Sequence, residues 1–265
     1  MPHARFDRFE AIEIRENRRT DFEVAWRELT YACRFDARPG ADRLVVSLRS
    51  SRGKPLETPP IFHPEHSPSE VNGHVLAISD PSLFLESDLE LGCFFGTRQD
   101  DAVTGVIRIA ERIAASFGLD RTRIVYWGAS AAGIGAAMAA VKSGATAVVV
   151  NGHLDGVGMS GTYLAEAVAK TFRIGTFDEL TNEFPLRARV PAALRAAQAL
   201  GLQPKILLVQ NVLDRTFHDR QYVPFCKEFG VPLDGGWDPT RTIMALAYSD
   251  AAGHALEPPQ IRAQA

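Results

Sequence analysis

Cysteine is scarce in this 265-residue chain: Cys33, Cys93 and Cys226 are the only three, and no two of them form a C-x-x-C pair. That scarcity excludes a disulfide framework and the spacing of a structural zinc site, and it predicts a reducing, cytoplasmic setting. Charge of one sign is lacking as well. With 29 basic against 32 acidic side chains, a net charge of −3 and no run of five like charges, the chain has no electrostatic footprint for nucleic acid or an anionic membrane. The first residues, Met1-Pro2-His3-Ala4-Arg5-Phe6-Asp7-Arg8, alternate charge with single apolar residues, so no secretory signal is expected there. Long hydrophobic runs are missing, with one partial exception. From Ile124 to Val141 there are 18 consecutive uncharged residues, the length of a membrane span. They are mostly Gly and Ala, whose transfer free energy is too small for insertion, so no transmembrane segment is expected.

What is present is an alternation of strand and helix patterns. Apolar alternation predicts strands near Phe9–Ile14 and Phe22–Phe35, separated by the polar turn 16–20 and opening the chain as an antiparallel pair. Leu44–Leu48 reads as a strand buried on both faces, and a Pro-rich loop (Pro55, Pro59, Pro60, Pro64, Pro68) leads to another strand at His74–Ile78, closed by Asp80-Pro81. A helical period then runs from Asp100 to Phe117 and stops at Gly118. Arg123–Trp127, Ala145–Val150, Lys205–Gln210 and Thr242–Tyr248 read as strands, with helices at Ala131–Ser143 and around Arg220–Phe229. This rhythm predicts one domain, residues 1–265, built on a mostly parallel central sheet covered by helices on both faces. Between Val150 and Lys205 the strands pause, and the interval 151–204 is expected to form a small cap insertion. Its Leu154, Met159, Tyr163, Phe172 and Phe177 could shape a pocket or simply pack, and Arg173, Arg187 and Arg189 could bind an anionic substrate but read first as solvated surface.

The chemistry concentrates in Ile124-Val125-Tyr126-Trp127-Gly128-Ala129-Ser130-Ala131-Ala132-Gly133. A serine nucleophile on a strand-to-helix elbow needs small residues two positions before and two after it, and Gly128 and Ala132 supply them. The helix that starts after Ser130 aims its free N–H groups at the place where an oxyanion would form. Downstream, Asp214 follows the strand Lys205–Gln210, with Asp219 as the alternative acid, and Gly253-His254 follows the strand Thr242–Tyr248. Of the seven histidines, His254 alone combines that position with a preceding glycine. His63, His66 and His74 lie in or beside the Pro-rich loop and read as solvent-facing, His153 could line a pocket, and His218 stands close to the acid.

In this segment the chain resembles the α/β-hydrolase superfamily, in which nucleophile, acid and histidine follow in that order, over roughly residues 43 to 256. The resemblance implies a three-layer α/β-hydrolase fold and a serine esterase acting through Ser130, Asp214 and His254. It implies an oxyanion hole built by the N–H groups of Ala131 and of Ser51, with Ser50 or Arg52 as alternatives, since Ser50 stands where the family usually has glycine. No cofactor or metal is implied; the expected substrate is a small ester or an acylated glycan.

Two other readings compete. Gly128-Ala129-Ser130-Ala131-Ala132-Gly133-Ile134-Gly135 looks like the glycine-rich turn of short-chain dehydrogenases, but its spacing is one residue too long, Tyr163 has Ala167 rather than lysine four positions on, and no acid closes the next strand at Val150-Asn151-Gly152. The N-terminal strand pair and the 80–97 segment also resemble the hydrolase-like proteins that accompany bacterial surface-glycan synthesis and export, which would make the chain a non-catalytic partner.

Overall fold

A computed structural model describes residues 4–13, 19–53, 57–62, 72–159 and 162–254; His63, His66, Pro64 and Pro68 lie outside them, as does the Tyr163 side chain. Its strands are β1 (Ala4–Phe6), β2 (Arg19–Trp26), β3 (Leu29–Asp36), β4 (Leu44–Arg49), β5 (His74–Ser79), β6 (Ile124–Ala129), β7 (Thr146–Val150), β8 (Lys205–Asn211), β9 (Gly236–Trp237) and β10 (Ile243–Tyr248). They form one mixed sheet in the order β1-β2-β3-β5-β4-β6-β7-β8-β10-β9. The six strands from β5 to β10 in that order run parallel, while β3 is antiparallel to both of its neighbours.

Period-two alternation sorts the strand side chains into two populations. Leu44, Val46, Leu48, Ile124, Tyr126, Ala147, Val149, Ile206 and Leu208 join the main core. Trp127, Val148, Val150 and Val209 gather on the other face, with Val45, Val125 and Leu246 beside them. The main core is sealed by helices α1 (Ala102–Ser116), α2 (Ala131–Ser143) and α6 (Val190–Ala199), with α2 between the other two and against β6 and β7. Nearly every residue of α2 is buried. Only Gly and Ala side chains let a helix lie that close to a sheet, and this explains why the stretch carries no charge. No helix among the described residues is long and apolar enough to cross a membrane.

Between β7 and β8 stand α3 (Thr162–Phe172), α4 (Phe177–Glu183), α5 (Pro185–Ala188) and then α6. Leu154, Met159 and Phe172 belong to the main core, and Phe172 also borders a cavity beside Thr97, Arg98 and Arg173. Arg187, expected at the surface, is sunk instead: its guanidinium donates to the carbonyls of Phe95, Thr97, Arg98 and Asp100 and so pins α5 to the 95–100 loop. Arg189 is held by both carboxylate oxygens of Asp155.

Three local expectations fail. Phe9–Ala11 is a turn of 3₁₀ helix rather than a strand, because Phe9 and Ile12, three apart, both sink into the core and the Phe9 ring packs on Trp26 at 5.4 Å. The run from Phe22 to Phe35 is a hairpin and not one strand; Arg27 turns the chain at φ 55°, a conformation the sequence does not advertise with Gly or Asn. His74 is buried at 4%, its Nδ1 accepting from the Arg38 N–H at 3.0 Å and its ring 4.2 Å from that of Phe117.

Candidate active site

Ser130 sits between β6 and α2 with φ 51° and ψ −122°, a conformation costly for a residue with a Cβ. Neighbouring bonds hold it there. Its N–H donates to Val150 O, and its carbonyl accepts from Gly133 N and His153 N, each at 3.1 Å. Gly128 has no room for a side chain, since a Cβ would stand 2.4 Å from Ala132 O. The elbow is therefore tied into the ends of β6 and β7 before any partner side chain arrives.

Those partners come from the C-terminal ends of two further parallel strands. Asp214 follows β8 and is buried at 5%; His254 follows β10. The His254 ring lies between acid and nucleophile, Nδ1 2.5 Å from Asp214 Oδ2 and Nε2 2.9 Å from Ser130 Oγ. Asp214 serves two ends, because its other oxygen accepts from Phe217 N and caps the helical turn Arg215–Phe217. Asp219 takes no part: its carboxylate is 2.6 Å from His218 Nδ1, in an exposed pair one residue apart.

Three further groups surround this arrangement: Phe217 and Asn211, which the sequence reading passed over, and His153, which it placed as a pocket-lining candidate. Phe217 stacks on His254 with centroids 4.3 Å apart and planes at 12°, giving a half-exposed ring one firm wall. Phe217 also packs on His153, with ring centroids 4.6 Å apart. Burial and the neighbouring His254 push its pKa down to about 3, so it stays neutral and adds no charge to the site. Asn211, fully buried at the end of β8, donates to the carbonyls of Asp250 and Gly253 at 2.8 Å and accepts from Leu213 N and Asp250 N. One amide thus fastens the acid-bearing loop to the histidine-bearing loop.

Ala131 opens α2, so its N–H belongs to the unsatisfied first turn. Ser51 pairs with Leu91 in an isolated antiparallel bridge whose flanking bonds are Arg52 N to Glu90 O and Gly92 N to Ser50 O. In such a pair the Ser51 N–H points away from Leu91 and is left for another acceptor. Among the described residues no group of three His, Cys, Asp or Glu side chains could hold a metal ion.

A strained serine elbow, an acid after β8 and a histidine after β10, all at the same end of a mostly parallel sheet, identify the architecture. The fold is that of the α/β-hydrolases. No family model matches the chain and no curated protein matches it significantly. Solved structures do: the capsule O-acetyltransferase of Neisseria meningitidis serogroup A, at 14% identity and TM-score 0.59, over 89% of this chain and 92% of that one. Two more are a chain of the Gap123 glycosylation-associated complex of Streptococcus agalactiae (11%, TM-score 0.57, 84% of this chain) and an acylaminoacyl peptidase of Pyrococcus horikoshii (13%, TM-score 0.59, 95% of this chain). The α/β-hydrolase-fold chain spans only 40% of each of those two proteins. At such identities the likeness speaks for the fold, a mostly parallel sheet with helices around it.

Proposed function

We propose that this protein transfers an acyl group from a carboxylic ester to water through Ser130, as an esterase of small esters or acylated glycans. The observation that carries the reading is the unbroken hydrogen-bonded row Ser130–His254–Asp214 on a strained elbow. Asp214 holds the neutral His254 ring in the tautomer protonated on Nδ1; Nε2 takes the hydroxyl proton as Oγ forms its bond to the ester carbonyl carbon, and Asp214 then stabilises the imidazolium. The tetrahedral oxyanion rests on the N–H groups of Ala131 and Ser51. Collapse breaks the ester C–O bond, and His254 returns the proton to the departing alkoxide. Water, deprotonated by the same nitrogen, then attacks the acyl carbon, and His254 returns that proton to Ser130 Oγ as the acyl–Oγ bond breaks and the carboxylic acid leaves.

A glycan ester is favoured over a peptide because the O-acetyltransferase likeness runs over 92% of that protein's length, against 40% for the peptidase. The same likeness favours a second reading in which a saccharide hydroxyl, not water, accepts the acyl group. A cytoplasmic location belongs to this proposal and rests on three free, buried thiols. The test is release of acetate from p-nitrophenyl acetate and from an O-acetylated oligosaccharide by the wild type and by Ser130→Ala. Loss of turnover in the variant supports the nucleophile, equal turnover removes it, and acetate appearing on an added oligosaccharide in place of free acetate selects transfer over hydrolysis.

A further inference from the structure

Asp80, at the end of β5, is wholly buried and faces no cation within its hydrogen-bonded shell. Burial pushes its pKa up, and the hydrogen bonds it accepts pull the other way. Oδ1 accepts from Ser82 N at 2.8 Å; Oδ2 accepts from Ser50 Oγ at 2.5 Å and from Phe94 N at 2.7 Å. Ser50 Oγ in turn accepts from Cys93 N at 2.5 Å. Cys93 and Phe94 are consecutive non-glycine residues with φ 54° and 56°, the central pair of a type I′ turn closed by Phe95 N donating to Gly92 O at 3.1 Å. Two left-handed residues in succession persist only where the surroundings repay the strain, and here the acceptors are Asp80 and the hydroxyl it orients.

The node touches both sides of the site. On one side it grips the loop after β4: Asp80 N donates to Arg49 O, Ser50 is bound through its hydroxyl, and Gly92 N donates to Ser50 O. Gly92 must lack a side chain, because a Cβ would lie 2.7 Å from Asp80 Oδ2. On the other side, Phe94 packs into α2 at Gly135, where any Cβ would stand 2.9 Å from that of Phe94. A single carboxylate therefore sets the loop that carries the Ser51 N–H against the helix that carries the Ala131 N–H.

We infer that Asp80, acting through Ser50 and the Cys93–Phe94 turn, is the positioning residue that fixes the second oxyanion donor relative to Ser130. The inference rests on the acyl-transfer reading. Its signature is a loss confined to the tetrahedral state, since a donor aimed at a developing oxyanion is felt little by the ground-state ester.

The experiment compares wild type, Ser50→Ala and Asp80→Asn in three readouts: ester kinetics, affinity for an arylboronic acid that forms a tetrahedral adduct with the serine, and fluorophosphonate labelling of the wild type beside Ser130→Ala. The expected result is a fall in kcat of about 10- to 100-fold with KM within about twofold, and a boronate Kd weakened by the same factor. A variant with unchanged kcat and boronate affinity, or with KM raised and kcat retained, overturns the inference. If Asp80→Asn does not fold, Ser50→Ala decides alone, as it leaves the carboxylate and its two backbone donors in place. Labelling of the wild type but not of Ser130→Ala keeps the acyl-transfer reading independent of that outcome. Failure to label the wild type removes that reading and this one with it.

Discussion

Asn211→Ala should damage stability and turnover together. The Asn211 amide makes four hydrogen bonds in a site without solvent, two donated to the 250–253 loop and two accepted from Leu213 N and Asp250 N. At about 1 kcal/mol net for each, and with two carbonyls and two N–H groups left to find other partners, the expected loss is about 3–4 kcal/mol. That is a large share of the stability of an ordinary domain, about 5–15 kcal/mol. Urea denaturation should show it as a lower midpoint at unchanged slope. His254 depends on the same amide for its place, so kcat should fall while KM moves little. Asn211→Asp sharpens the reasoning. It keeps both acceptor contacts but turns a carboxylate oxygen toward the carbonyls of Asp250 and Gly253, so it should lose at least as much turnover as alanine. A midpoint shift worth less than about 1 kcal/mol, or full kcat in Asn211→Asp, would show that the two loops hold their places without the amide.

Asp214→Asn should reduce kcat by about four orders of magnitude by holding the His254 ring in the wrong tautomer, whereas Asp219→Asn should leave ester kinetics unaltered; steady-state rates separate the two acids. Gly128→Ala drives a Cβ onto the Ala132 carbonyl and should destabilise the fold by about 1–3 kcal/mol, read in urea, with loss of turnover because the elbow itself must shift. His153 titrates near 3 in the folded protein and near 6.5 when unfolded, so the unfolded chain takes up the proton first and stability is lost as pH falls from about 6.5 toward 3, by up to about 1.4 kcal/mol per unit. His153→Asn should flatten that part of the stability–pH curve; a parallel curve contradicts the assignment.

The site could be read from the sequence where local pattern and position coincide. Ser130 stands between an apolar strand and a small-residue helix, and Asp214 and His254 each close a strand of a parallel series, so strand order alone brought the three to one end of the sheet. What supports them was hidden, because it acts across the chain. Asp80 reads only as part of the Asp80-Pro81 close of a strand, and the fold alone shows it reaching Ser50 and Phe94. Asn211 lies just past the strand read at Lys205–Gln210, and neither it nor Phe217 stands out until β10 delivers the 250–254 loop beside them. The hairpin at Arg27 escaped for a different reason: a long charged residue adopts the positive φ that turns usually reserve for glycine or asparagine.

The central claim, that Ser130 is a nucleophile made reactive by His254 and Asp214, is tested most directly by mass spectrometry of the protein after reaction with a fluorophosphonate. The account predicts one covalent adduct per chain, mapped to the peptide containing Ser130, absent from Ser130→Ala and formed far more slowly in a His254→Ala variant. An unmodified wild type, or an adduct that persists in Ser130→Ala, would contradict it.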